Sequence, residues 1–297
     1  MSMNKKQKVG KTFKEKVIEN VISVLKTALV LLIIISAVVE ASRVPTGSME
    51  DTILAGDFLL INKYLYGPAT PRYIPLTGIE LPYYRFPSFR EPKRNDIIVF
   101  KYPGNRDQIE FEELTHYVKR CVAAPGDTLE IVDKVIFING EEFPIPEHVN
   151  YDNKLLPKGL ADPYIFPKGS GWNSDNYGPI VIPKKGDVIK LSKENIGRWD
   201  TFINREHNKN VVRFVNNEIF INNTKTDEYI VQEDYYFVIG DNRDNSLDSR
   251  YWGFVPRESI TGTPIIIYWS WDSAIPFSQF FDLLGSVRLN RIAKLIN

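Results

Sequence analysis

Residues 115–140 read THYVKRCVAAPGDTLEIVDKVIFING, and this stretch decides what kind of fold the chain forms. Its apolar residues alternate with polar ones in runs too short for helices, and turn residues separate the runs. Alternation at a period of two predicts half-buried strands joined by tight turns. The same grammar extends outward in both directions: GDFLLINKY at 56–64, NDIIVFKYPG at 95–104, GDVIKL at 186–191, NNEIFINN at 216–223 and YYFVIGDN at 235–242. Everything beyond residue 40 is therefore expected to be mostly β.

Between residues 144 and 172 the pattern lapses, with eight Pro or Gly residues in that stretch, and strand patterning resumes near Gly178. Residues 147–225 are expected to form an inserted second lobe. It interrupts a core whose first part is 41–146 and whose second part is 226–285, with a C-terminal tail at 286–297. A faint internal echo pairs GDTLEI and IFIN (126–131, 136–139) with GDVIKL and IFIN (186–191, 219–222). It reads either as a duplicated module or as the chance recurrence of turns and β-formers.

The chain has 297 residues, with 37 Lys and Arg against 37 Asp and Glu, 43% hydrophobic residues and one cysteine, Cys121. A single cysteine excludes an internal disulfide or a multi-thiolate zinc site, and it is expected to pack in the sheet. The charge balance argues against a large nucleic-acid surface. It hides an asymmetry: residues 1–20 hold six lysines against Glu15 and Glu19. Behind that basic tail (1–16), residues 21–39 read VISVLKTALVLLIIISAVV, whose only charge is Lys26. About 20 apolar residues cross a hydrocarbon layer about 30 Å thick. A transmembrane anchor is thus expected over 17–40, with a cleaved secretory signal as the alternative. The positive-inside rule keeps the lysine-rich tail in the cytoplasm and places the rest of the chain outside it. Near the other end, PIIIYWSWDSAIPFSQFFDLLG (264–285) is strongly apolar, but Asp272, Pro264 and Pro276 argue against a second span. A terminal strand followed by a segment packed on the core or on lipid is expected.

Three segments could carry chemistry. In PTGSM (45–49), Pro45 and Gly47 constrain the backbone around Ser48, which can present its hydroxyl outward, although small residues after a helix are also what a linker contains. In YVKRCV (117–122), Lys119 shares a strand face with Tyr117 and Cys121, while Val118, Arg120 and Val122 face the other way. An ordinary lysine near pKa 10.4 is almost wholly charged at pH 7, so Lys119 could act as a base only in an apolar, water-poor setting. In GDNRDNSLDSR (240–250), Ser246 could orient an amine while Asp248 and Arg250 pair. The histidines His116, His148 and His207 read as surface or packing residues, and a serine nucleophile with a lysine base is more economical than a Ser-His-Asp triad. No HExxH, Walker or dinucleotide-binding glycine pattern occurs.

Together PTGSMEDTILAGDFLLINKYLYG, RNDIIVFKYPG, YVKRCVAAPGD and above all GDNRDNSLDSRYWGFVP resemble the bacterial type I signal peptidase (leader peptidase) family of membrane-anchored serine/lysine endopeptidases. The four occur in family order along the anchor and most of the exported core. The inserted lobe at 147–225 resembles, by position alone, the extra lobe of larger family members. The resemblance implies a signal-peptidase-like β-sheet catalytic core with Ser48 as nucleophile, Lys119 as general base, Ser246 as the serine that orients the lysine, and Asp248 with Arg250 as a supporting pair. Thr46 stands where the family usually has a serine that helps the Ser48 backbone N–H form an oxyanion hole. Asp51 stands where proline is common. Val44, Met49, Tyr117 and Val118 match positions lining shallow pockets for small side chains.

The activity implied is removal of N-terminal signal peptides from exported preproteins after Ala-x-Ala-like sites, through an acyl-enzyme, at the bacterial inner (plasma) membrane, with no metal or organic cofactor. The implied partners are such preproteins and the lipid bilayer, with no nucleic acid. Two other readings stand beside it: a noncatalytic, membrane-tethered β protein that binds extended export substrates, and a peptidase dedicated to a narrow client.

Overall fold

The structure is a computed structural model that describes residues 12–70, 79–82, 84–109 and 116–296, less the side chains of Leu32, Ile33 and Ser36. Most of the basic tail, including Lys5, Lys6, Lys8 and Lys11, lies outside the described residues.

Helix α1 (Phe13–Val38) opens with a capping box in which the Thr12 hydroxyl accepts from the Glu15 N–H and the Glu15 carboxylate accepts from the Thr12 N–H. Many of its apolar side chains, among them Val24, Leu25, Val30 and Ile35, stand more than half exposed. Among the described residues no helix is long and apolar enough to cross a membrane. The fold by itself therefore does not establish the anchor expected over residues 17–40.

Strands follow in chain order: β1 (Val39–Arg43), β2 (Asp57–Asn62), β3 (Ile97–Lys101), β4 (His116–Ala123), β5 (Thr128–Val132), β6 (Val135–Ile138), β7 (Glu141–Glu142), β8 (Tyr177–Val181) and β9 (Val188–Lys190). Helix α2 (Ile196–Glu206) comes next, then β10 (Val212–Val215), β11 (Glu218–Ile221), β12 (Thr224–Lys225), β13 (Glu228–Ile230) and β14 (Tyr235–Ile239). A single-turn helix α3 (Ser249–Trp252), β15 (Val255–Pro256), β16 (Ile260–Ser270), α4 (Phe280–Gly285) and β17 (Lys294–Leu295) complete the order. The chain is mostly β, as the alternating runs predict.

The main sheet has the order β1-β2-β16-β3-β4-β14-β15, with β17 added on β16, and its pairings are antiparallel. β4, which carries Lys119, lies between β3 and β14 and so is protected on both edges. A smaller sheet runs β7-β6-β5-β8, and β9-β13 and β10-β11-β12 form two more ribbons. The hairpins owe their tightness to local chemistry: Asp133-Lys134, Asn216-Asn217 and Asn222-Asn223 each place two successive residues at positive φ. Two-residue loops of that kind match the twist of the strands they join, and Asn and Asp tolerate the conformation best.

The pairing of β5 with β8, and of β9 with β13, crosses the edges expected for the inserted lobe, because 128–132 and 228–230 pair with strands inside it. One cluster of buried residues runs from Val122 and Ala123 in β4 through Leu129, Ile180, Phe202 and Val231 to Phe237 and Phe254. The echoed segments do not form a repeated unit. β5 pairs with β6, whereas β9 pairs with β13 and β11 with β10 and β12. What recurs is turn chemistry, not pairing. Helix α2 has no counterpart in the expected strands; Ile196, Trp199, Phe202 and Ile203, spaced three to four apart, pack its inner face on the same cluster.

Beyond β16 the chain neither spans nor trails away. Leu283 is buried while Phe277 and Phe281 are more than two-thirds exposed. Arg291 then returns to the core, where Nε and Nη2 donate to the buried Asp57 carboxylate at 3.0 and 2.6 Å.

Candidate active site

Ser48 sits on a turn between β1 and β2, at the end of the main sheet and half-buried. That turn is held from beneath by the segment after β14. The Asn242 N–H donates to the Ser48 carbonyl at 3.2 Å, its side-chain amide donates to the Gly47 carbonyl at 3.0 Å, and the Asp241 N–H points at Met49 Sδ at 3.4 Å. The approach is so close that a methyl group on Gly240 would lie 2.4 Å from the Ser48 carbonyl oxygen and 2.2 Å from Ser246 Oγ. Glycine at 240 is therefore required by space, whatever its backbone angles.

Lys119, in the middle of β4, is 1% exposed, and its Nζ is in hydrogen-bond contact with Ser48 Oγ. Seventy-one residues apart in sequence, the two meet because β4 is central and the Ser48 turn folds over it. Burial pushes the Lys119 amine down to about 8, with the nearby Asp248 carboxylate opposing the shift. The ring of Tyr117 lies 5.8 Å from the same nitrogen. The amine is thus sheltered, mostly neutral above about pH 8, and in contact with a hydroxyl, an arrangement able to take a proton from that hydroxyl.

Asp248 and Arg250 are both buried and paired in a fork, Nε to Oδ1 at 2.9 Å and Nη2 to Oδ2 at 2.8 Å. Burial, the largest single influence, would raise the Asp248 carboxyl, but the Arg250 charge together with hydrogen bonding from Arg250 and, in looser geometry, from Ser246 outweighs it and holds the group below the ordinary aspartate range. Ser246 lies beside them, near enough to help keep Asp248 ionised. Its Oγ is buried without a partner of good hydrogen-bond geometry, and among the described residues no hydrogen bond joins it to Lys119.

The remaining expected positions separate. Thr46 is exposed, and neither its hydroxyl nor the Ser48 backbone N–H is hydrogen-bonded among the described residues. Asp51 carries a positive φ of 73°, a conformation that proline cannot adopt and aspartate tolerates. Val44 and Met49 are buried in a cluster with Ile53, Leu59, Ile97 and Ile267, against which Val118 packs half-buried. Tyr117 belongs to another cluster, with its ring 4.7 Å from Tyr102 and 5.7 Å from Trp252. None of His116, His148 and His207 bonds to Ser48 among the described residues; His207 contacts the Tyr229 hydroxyl at 3.4 Å. Cys121 is fully buried. Among the described residues no group of three or more His, Cys, Asp or Glu could hold a metal ion.

Sequence reasoning missed a second buried ion pair. Arg120 donates through Nε and Nη2 to Asp241 at 2.8 and 2.7 Å, and the Thr52 hydroxyl donates to the same carboxylate at 2.6 Å. This pair fixes the neighbours of Lys119 and Gly240 at once. Arg120 shares its strand face with Val118 and Val122, and a buried guanidinium there needs an anion, but nothing local in the sequence points to Asp241.

A family model described as signal peptidase, peptidase S26, matches residues 17–269. The chain is 32% identical over 251 residues to signal peptidase I of Aquifex aeolicus, covering 82% of this chain and 80% of that protein. It is 30% identical over 284 residues to signal peptidase I of Buchnera aphidicola subsp. Acyrthosiphon pisum, covering 90% and 78%. A solved signal peptidase I from Enterococcus faecalis is 25% identical and covers 59% of this chain and 98% of that one, with a TM-score of 0.26.

Proposed function

The chain belongs to the signal peptidase family, peptidase S26, and is a serine endopeptidase of the kind that removes signal peptides; from that premise we propose that Ser48 and Lys119 are its nucleophile and general base. The observation that carries this reading is the contact between Ser48 Oγ and a lysine amine that burial keeps near pKa 8.

Neutral Lys119 takes the Ser48 proton as Oγ attacks the scissile carbonyl carbon, forming a tetrahedral intermediate. The Ser48 N–H and the Thr46 hydroxyl face the developing oxyanion, where one well-placed donor contributes about 3–4 kcal/mol. The Lys119 ammonium returns its proton to the departing amine, leaving an ester on Ser48. A water, deprotonated by the same amine, releases the signal peptide and restores the serine. A turn of the Ser246 hydroxyl toward the ammonium would let it orient that group, while Asp248 and Arg250 hold the Ser246 loop. Substrates are exported preproteins with Ala-x-Ala-like sites, a reading supported by Val44, Met49 and Val118, which lie together in one apolar cluster and match the family's positions for small side chains.

The reading extends to a single-pass anchor in the bacterial plasma membrane, with the basic N-terminus cytoplasmic. What supports it is the sequence run 21–39, whose only charge is Lys26, carried on a helix that at about 1.5 Å per residue extends about 39 Å, although the described part of that helix is not by itself apolar enough to span. The exposed apolar surface of α1 is what lipid would cover. Anchoring enzyme and preprotein in one bilayer raises their effective concentration.

The test is cleavage of a preprotein bearing an Ala-x-Ala site by the full chain in lipid vesicles, compared with Ser48→Ala and Lys119→Ala. Both variants are expected to be inactive; turnover by either refutes the assigned roles.

A further inference from the structure

Beside Tyr117, on the side away from Val44 and Val118, lies a cavity of about 460 Å³ with Tyr102, Tyr164, Leu247, Tyr251 and Trp252 on its aromatic and apolar side and the polar loop 105–108, Arg106 included, on the other. We propose that this cavity receives an apolar or aromatic side chain from the first residues of the mature protein, just beyond the scissile bond. The inference rests on the Ser48/Lys119 reading and extends it to substrate selection.

Three observations lead there. The cavity adjoins the reacting pair: Leu247 directly follows Ser246, whose Oγ converges with the Ser48 carbonyl on Gly240. On the opposite flank, Trp252 is 5.7 Å from Tyr117, whose ring is 5.8 Å from Lys119 Nζ. An extended peptide advances about 3.3 Å per residue, so the cavity is about two or three residues from the cleaved bond.

Direction follows from the fold. α1 leads through β1 to Val44, so a signal peptide held in the same bilayer approaches over the Val44, Met49 and Val118 cluster. The departing chain continues past Tyr117 toward Trp252.

The cavity is also a constructed one. Arg106 donates to the Pro163 and Ile165 carbonyls at 2.7 and 3.0 Å, fixing the segment that carries Tyr164. Arg205 of α2 donates to the Gln108, Asn105 and Trp252 carbonyls at 2.8, 2.5 and 3.0 Å, fixing the loop and the helix that form its floor. Two arginines from different parts of the chain thus hold the outer wall, at 105–108 and 163–165, against a floor that the buried Trp252 anchors in the core. Residues 163–165 and α2 both belong to the inserted region, which gives that region a task at the active site. The guanidinium of Arg106 is neutralised by Asp107, at 2.9 Å, so the lining favours an uncharged occupant.

The test uses the full chain in vesicles and two preproteins identical except for Phe or Gly at the second mature residue. The kcat/KM ratio of Phe to Gly substrate is expected to be about tenfold, the discrimination an apolar pocket ordinarily provides. Tyr164→Ala, at a 75% exposed position that folding does not depend on, should bring the ratio close to one, and Leu247→Ser should do the same. A ratio of one in the unmodified enzyme, or a tenfold ratio that survives both substitutions, overturns the proposal. Failure to cleave either preprotein would instead count against the Ser48/Lys119 reading.

Discussion

The Asp241 carboxylate receives both Nε and Nη2 of Arg120 at 2.8 and 2.7 Å, with the two side chains no more than 2% exposed. Arg120 adjoins Lys119 and Asp241 adjoins Gly240, so one ion pair ties the base-bearing strand to the segment under Ser48. Asp241→Ala leaves a guanidinium buried without an anion and is expected to cost about 3–5 kcal/mol. Arg120→Met combined with Asp241→Leu should recover much of that loss, because no charge then remains unpaired. Chemical denaturation of the three proteins checks this; a single variant as stable as the parent would contradict it.

The depressed Lys119 amine fixes a pH dependence. The neutral form grows as pH rises through about 8, so kcat/KM for preprotein cleavage should climb with a limb centred there, well below the 10.5 of an ordinary lysine. A limb centred near 10 would show that the amine is solvated in the working enzyme.

The same shift carries a stability cost with a defined sign. Below pH 8 the lysine is charged in both states and the folded protein bears the penalty of burying it. Between 8 and 10.5 only the unfolded chain holds the proton, so stability rises with pH and the penalty is gone above 10.5. Lys119→Met should therefore be the more stable protein at pH 7, by about 3 kcal/mol at most from a shift of roughly two and a half pK units. The advantage should vanish near pH 10.5. Urea midpoints of both proteins across that range decide it, and a pH-independent difference would exclude the linkage.

Gly240→Ala tests the fit between the two halves of the site. The added methyl group meets the Ser48 carbonyl at 2.4 Å, a backbone atom that moves only if the whole Ser48 turn moves. Displacement by about 1 Å costs on the order of 100-fold in rate. A loss of that size in kcat, with an unaltered circular dichroism spectrum, is expected; near-normal kcat would mean that the turn can shift freely.

These relationships were legible in the sequence to different depths. Strands such as β2, β3, β4 and β14 declared themselves by alternation and length. Ser48 and Lys119 stood out as reactive types in constrained settings. Arg120 did not, because an arginine in a strand looks solvated until its partner, 121 residues away, is brought under it. α2 was hidden by the Pro- and Gly-rich stretch before it, although Ile196, Trp199, Phe202 and Ile203 keep helical spacing. Val44 and Met49 read as apolar pocket positions, but sequence cannot tell an open wall from a covered one. The cavity beside Trp252 depends on loops 104–108 and 163–165 meeting, which no local pattern encodes.

Cys121 should be inert. It is fully buried, and burial pushes its thiol well above the ordinary cysteine range, so almost no thiolate forms near neutrality. Iodoacetamide should leave the native protein unmodified and active, and label it stoichiometrically in denaturant. Rapid labelling of the folded enzyme, read by mass spectrometry, would mean that β4 opens on the reaction timescale.

Residues 286–297, expected from sequence to be a tail, carry the counterion of a core carboxylate. Arg291 donates to Asp57 through Nε at 3.0 Å and Nη2 at 2.6 Å, and to the Thr52 carbonyl at 3.2 Å. Asp57 opens β2, and its Oδ2 also accepts from the Leu54 N–H at 2.8 Å, so it anchors the turn that begins at Ser48. Removing the arginine leaves Asp57 fully buried and unpaired, at an expected cost of about 3–5 kcal/mol. Because the loss falls on the turn bearing the nucleophile, truncation after residue 285 should lower kcat as well as the unfolding midpoint. Asp57→Asn, which keeps an acceptor for Leu54 but carries no charge to leave unpaired, should rescue much of the stability of the truncated chain. A truncated protein that unfolds at the parent's midpoint would show that β17 and Arg291 merely rest on the sheet.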